Sequence, residues 1–191
     1  MTKTRLEAFS DGVIAILITI MVLEIHAPKT GEIAALLPMA PQLSCYLLSF
    51  VFLGIYWSNH HHLMHAVKHV NGATLWANLH LLFWLSLVPV GTGWMGNSHF
   101  APLAVAGYGV VLLFAALGYY ILVQALLKLH GSDSTLAIAL GSDFKGKISI
   151  VLYLAAIGLT FVSTFAACAV YVAVATMWLV PDRRIEKALS H

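Results

Sequence analysis

Five histidines fall within ten residues, His60, His61, His62, His65 and His69, and His80 follows them. Spacings of three and four residues put His61 and His65, or His62 and His65, on one face of a helix, as a metal site requires. No carboxylate or cysteine accompanies them in the sequence, so the cluster reads as polar structure and no metal ligands are assigned. A second group of chemically capable residues opens the chain: Arg5, Glu7, Ser10 and Asp11, with Phe9 among them and Glu24 further along. An imidazole can satisfy a partly buried carboxylate by hydrogen bonding. The expected network therefore joins Asp11 and Ser10 to Asn59, to one of His60, His61 and His62, and to Asn78 or His80. Arg5 and Asp11 lie six residues apart, about 240° around a helix, so Arg5 is expected to find its acceptor on another helix or subunit.

The elements that must hold these groups are set by composition. Hydrophobic residues make up 60% of the 191 and charged residues only 9%, too few to coat a water-soluble particle of this size. The chain reads as an all-α membrane protein, and soluble enzymes are excluded. A net charge of +2 argues for no nucleic-acid partner. Cys45 and Cys168 both lie in apolar runs and read as small hydrophobes rather than as a disulfide or metal pair.

About 20 apolar residues of helix cross a bilayer, so uncharged intervals convert into spans. Residues 33–67, 69–127 and 148–181 contain no Asp, Glu, Lys or Arg. The first interval holds one span, with Pro38 and Pro41 expected before it. The second holds two, separated by a turn within the Gly, Pro and Asn cluster from Pro89 to Pro102. The third is about 50 Å long as a single helix and is read as two short spans with a break near Ser163 to Ala167. With the first helix the total is six, over residues 3–26, 42–65, 74–95, 102–127, 147–163 and 166–181. With both termini cytoplasmic, Lys3, Arg5, Lys68, Lys128, Lys145, Lys147, Arg183, Arg184 and Lys187 face inward and only Lys29 outward, as the positive-inside rule prefers. Glu7 and Asp11 stand where a cleavable signal sequence wants positive charge, so the first helix is expected to stay in the mature protein.

Only that first span carries charges within its length, and such residues normally face a bundle interior or a wet path. Projection at about 100° per residue aligns Gly12, Ile16, Thr19, Ile20 and Leu23 on one stripe and turns Asp11 about 140° from Ile16. By periodicity alone the stripe is a packing seam.

Arg5, three residues, then Phe9, Ser10 and Asp11 at the opening of a membrane helix resembles the RxxxFSD signature of the lysosomal and endosomal potassium-channel family. The following GVIAILITIMVLEI is similar to the first helix of that family, YWSNHHHLMH to the end of its second, and six spans match one repeat. The resemblance implies a homotetramer of the prokaryotic single-repeat form, with the first helix around a four-fold axis in the plasma membrane. It further implies a passive, potassium-preferring cation channel. Carried over by distance from Asp11, the constriction falls on Ile16, Ile20 and Leu23, and a hydroxyl ring found in some prokaryotic members falls on Thr19. No cofactor is implied; the partners are further copies of the chain, lipid and monovalent cations. The alternatives from other classes are a membrane-embedded metalloenzyme built on the histidines and a cation transporter.

One motif points elsewhere. Val105, Ala106, Gly107, Tyr108 and Gly109 resemble a TVGYG selectivity filter, but nothing before them can form a re-entrant pore helix, and the two glycines read as sites of close helix approach.

Overall fold

The computed structural model describes residues 2–28, 30–131, 134, 136–137 and 143–179. Among them there are helices and no strands. Helix α1, Lys3–Leu23, starts at Thr2, whose side chain accepts from the backbone N–H of Arg5, and stops at Glu24, short of the expected His26. A 3-10 turn over Ile33–Met39 contains Pro38 and leads into α2, Ala40–His65, where Pro41 sits in the first turn, a position that needs no N–H donor. Helices α3, Gly72–Ser86, and α4, Val88–Asn97, are the two halves of one membrane-length segment. Pro89 breaks it at Leu87, because proline offers no N–H to the preceding turn.

The cluster from Pro89 to Pro102 is therefore mostly helix. The turn expected across it is confined to residues 98–101, where His99 and Phe100 take positive φ before α5, Pro102–His130, begins. Helix α6, Phe144–Leu159, starts ahead of residue 147 because the Asp143 side chain accepts from the Gly146 N–H and brings Lys145 and Lys147 into the helix. Helix α7, Thr164–Leu179, follows a turn over residues 160–163. No glycine or proline marks that turn. Ser163 makes it, its hydroxyl accepting from the Ala166 N–H. Lys29, Arg183, Arg184, Lys187 and residues 180–181 of the last expected span lie outside the described residues.

Four segments, Lys3–Leu23, Ile33–His65, Gly72–Asn97 and Pro102–His130, are long and apolar enough to cross a membrane. Helices α6 and α7 have 16 residues each, roughly 24 Å at 1.5 Å per residue. Helix α5 packs against α3, α4, α6 and α7, and α1 packs on α2, α3 and α4. The core is filled with ring systems: Tyr108, Tyr171, Tyr153 and Phe52 are buried and in mutual contact.

The filter-like stretch Val105 to Gly109 lies inside α5 as regular helix. The Val105 carbonyl accepts from the Tyr171 hydroxyl at 3.1 Å, and Gly107 faces the Trp94 ring. A methyl at Gly109 would overlap the Tyr171 hydroxyl and press on Ile157 at 2.9 Å. Gly109→Ala is accordingly expected to cost about 3 kcal/mol by overpacking α5 against α6 and α7, read as a lower melting temperature in detergent.

Candidate functional site: the first helix and its anchors

Leu6, Ser10, Ile14, Leu17 and Met21 of α1 are buried, a stripe at spacings of three and four that packs on the neighbouring helices. The opposite face is bare. Ile16 is 57% exposed, Ile20 41% and Leu23 77%, and Gly12 and Thr19 are exposed beside them. Within one chain this stripe is no packing seam. Arg5 and Phe9 project along the same bare face, and the Arg5 guanidinium meets no partner among the described residues. The tetrad is thus divided by geometry: Arg5 and Phe9 point outward, while Ser10 and Asp11 turn toward the bundle.

Ser10 enters a directed chain of hydrogen bonds. His60 Nε2 on α2 donates to Asn78 Oδ1 on α3 at 2.8 Å, Asn78 Nδ2 donates to Ser10 Oγ at 3.0 Å, and the Ser10 hydroxyl donates to the Leu6 carbonyl at 2.9 Å. All three side chains are buried, so each link replaces water that cannot reach it. The His60 Nδ1 has no partner among the described residues, which fits the neutral ring protonated at Nε2. Asp11 stands outside this chain and accepts from Trp57 Nε1 at 3.0 Å, and Glu7 Oε1 lies 3.5 Å from His61 Nδ1.

Of the expected network, the structure joins Ser10, Asn78 and His60. Asn59 instead donates to its own helix at Ile55 while its carbonyl accepts from Tyr119, and His80 lies edge-on to Trp84. The His62 ring stands edge-on to the neighbouring His61 ring. The sequence reading missed Trp57 and Glu7 as anchors. It also missed a second polar knot, in which Ser49 of α2 lies 2.6 Å from Thr92 of α4 and 2.8 Å from the Tyr108 hydroxyl of α5. Thr92 reaches Met21 of α1 through its sulfur. Single hydroxyls in apolar helices carry no spacing signal that would reveal such a knot.

Thr19 holds its hydroxyl against its own helix, 2.9 Å from the Ile16 carbonyl and 3.2 Å from that of Ala15. The proton is committed inward, so the oxygen lone pairs are turned toward the bare face.

Helices of membrane length, one of them anchored by polar bonds on one side and bare on the other, define an all-helical membrane protein. A family model described as "Endosomal/lysosomal potassium channel TMEM175" matches residues 5–89. A potassium channel of Chryseobacterium sp. is 52% identical over 190 residues, covering 100% of this chain and 99% of its own length. The human endosomal/lysosomal proton channel TMEM175 is 37% identical over 103 residues, 48% of this chain and 19% of the human protein. The crystal structure of a lysosomal potassium-selective channel TMEM175 homolog from Chamaesiphon minutus superposes with a TM-score of 0.81 at 28% identity, covering 94% of this chain and 97% of that one. The chain belongs to the TMEM175 family of channels, which are not enzymes.

Proposed function

We propose that this chain is a passive, potassium-preferring cation channel that assembles as a homotetramer with the bare face of α1 around a central axis. The observation that carries the reading is the exposure of Ile16, Ile20 and Leu23 directly opposite a fully buried stripe on the same helix. In lipid such a face could simply meet acyl chains, yet α1 also carries Arg5, whose charge is costly in hydrocarbon and has no acceptor among the described residues. An axis shared with other copies gives both features a place. A pore through a single chain has little room, because the bundle centre is occupied by buried tyrosines and leucines.

Four copies of Ile16, Ile20 and Leu23 form apolar rings that offer a hydrated cation nothing in exchange for its water and so hold the pore shut by dewetting. Thr19 supplies oxygen lone pairs between those rings. They partly replace hydration and favour potassium, the more cheaply dehydrated ion, over sodium. Asp11 is structural in this reading: Asp11→Ala removes the acceptor for Trp57 at an exposed bond and is expected to cost up to about 1 kcal/mol and lower the tetramer yield on gel filtration, with selectivity unchanged.

The direct test is ion flux through liposomes reconstituted with purified protein, potassium and sodium gradients being compared at equal protein density. Faster potassium flux supports the reading; equal rates or no flux would remove it. The excess of basic residues on one side supports cytoplasmic termini, so a reporter active only in the periplasm, fused after His191, is expected to stay silent.

A further inference from the structure

The sequence offers no carboxylate near the histidines, and the fold supplies one. Packing of α1 on α2 brings Glu7 to His61 and His65, so that one ligand atom from each of the three lies within 4.8 Å of the others. We propose that these three side chains bind one divalent transition-metal ion of the zinc class and thereby clamp the Lys3 end of α1 to the His65 end of α2.

The geometry is close to what such an ion asks. In a tetrahedral zinc site with bonds of about 2.0–2.1 Å, ligand atoms stand roughly 3.3 Å apart. Glu7 Oε1 and His61 Nδ1 are already at 3.5 Å. His61 and His65 are one helical turn apart with ring centroids separated by 4.4 Å, and His65 is exposed, so its imidazole can swing the remaining distance by side-chain rotation. His61 is oriented from behind: the Trp57 ring stacks against it at 6.1 Å with an interplanar angle of 25°, and Trp57 is itself held by Asp11. Such supporting contacts fix the direction of a ligating imidazole.

The donor set selects the metal. Two imidazoles and one carboxylate suit zinc, cobalt or nickel, whereas calcium and magnesium prefer an all-oxygen shell. Glu7 is only 19% exposed, so its carboxylate is partly withdrawn from water with a single imidazole as partner, and a cation there compensates it. His61, 42% exposed, leaves the outer side open to water as a fourth ligand. Lys3 stands one turn before Glu7 and Asp11 one turn after it on α1, so their formal charges offset along the helix. The binding itself does not depend on the proposed function. Its consequence does: a clamp on the helix that carries the bare stripe restricts any rotation of that helix and reduces flux.

The test uses untagged full-length protein in detergent, stripped with chelator. Cobalt titration is followed by visible absorption, with zinc as the displacing ion and thermal melting in parallel. One cobalt per chain with tetrahedral-type absorption, displaced by zinc, is expected, with a rise in melting temperature on the order of 5 °C at saturating zinc. His65→Gln, an exposed change that leaves the packing intact, and Glu7→Gln are each expected to weaken binding at least about 10-fold, whereas His69→Gln leaves it unchanged. Absence of stoichiometric binding to the folded wild type, or affinity unmoved by both Glu7→Gln and His65→Gln, overturns the site. In liposomes, zinc is expected to slow potassium flux through wild type and to leave His65→Gln unaffected. Intact binding without any effect on a measurable flux overturns the clamp, and intact binding in a protein that conducts nothing upholds the site while removing the channel reading.

Discussion

Replacing Ile16 by Asn in every subunit of the proposed tetramer is expected to raise potassium flux about tenfold and to bring the sodium rate toward the potassium rate. The magnitude corresponds to lowering the barrier by about 1.4 kcal/mol, a modest share of the cost of drawing a hydrated cation through a dry ring. The amides put polar atoms where water is otherwise excluded, so the throat wets and discrimination based on dehydration weakens. Because Ile16 is more than half exposed in the single chain, the change strands no buried amide inside the subunit. A packing role for Ile16 between subunits predicts the opposite pattern, since an amide buried against an apolar partner destabilises the assembly without opening a path. Flux and tetramer integrity measured on the same preparation separate the two, and intact tetramers with unchanged flux and selectivity remove Ile16 from the pore.

The second large effect concerns stability. Asn78→Ala leaves the His60 Nε2–H without its acceptor and the Ser10 oxygen without its donor, both in positions closed to water. Two unsatisfied buried groups at about 1–3 kcal/mol each, reduced by partial relaxation in the membrane, give a loss of about 2–4 kcal/mol. At roughly 2–4 °C per kcal/mol for a chain of this length, melting in detergent falls by about 5–15 °C. Trp57→Phe removes only the bond to Asp11 at an exposed side chain and is expected to stay within about 1 kcal/mol. If the two variants melt together, the Ser10, Asn78 and His60 chain is not the principal anchor of α1.

The six helical segments were legible because hydrocarbon thickness acts on composition over about 20 residues at once, a long signal that single residues cannot blur. Local endings were less so. Pro89 looked like a turn residue, yet proline is also at home in a first helical turn, and α4 uses it that way. The α6 to α7 turn rests on Ser163, and serine is equally ordinary inside a membrane helix. The stripe from Gly12 to Leu23 could be drawn from periodicity, which cannot say whether a face packs or stands bare; exposure in the folded chain answers that for one subunit. The anchors were half legible. Ser10 and His60 announced themselves as polar residues in apolar surroundings, whereas the meeting of Ser10 with Asn78, 68 positions away, depends on how three helices pack. The same holds for Glu7 and the histidines, whose approach depends on how α1 packs on α2 and has no counterpart in local spacing.

The bare positions of α1 have a rhythm of their own. Arg5, Phe9, Gly12, Ile16, Thr19 and Leu23 are separated by four, three, four, three and four residues, a seven-residue spacing, and Ile20 stands beside Thr19 on the same face. Helices that share such a repeat wind around one another in a shallow left-handed supercoil, which keeps these positions facing the axis over the full length. Within the repeat, one set is Phe9, Ile16 and Leu23 and the other is Arg5, Gly12 and Thr19. In the proposed tetramer, coiled this way, Phe9, Ile16 and Leu23 would form successive apolar girdles about 10 Å apart, with Ile20 adding a further one between Ile16 and Leu23. An ion on that axis would meet several narrow dry steps in series, so the barrier would be distributed, and softening one girdle would leave the others to limit the leak.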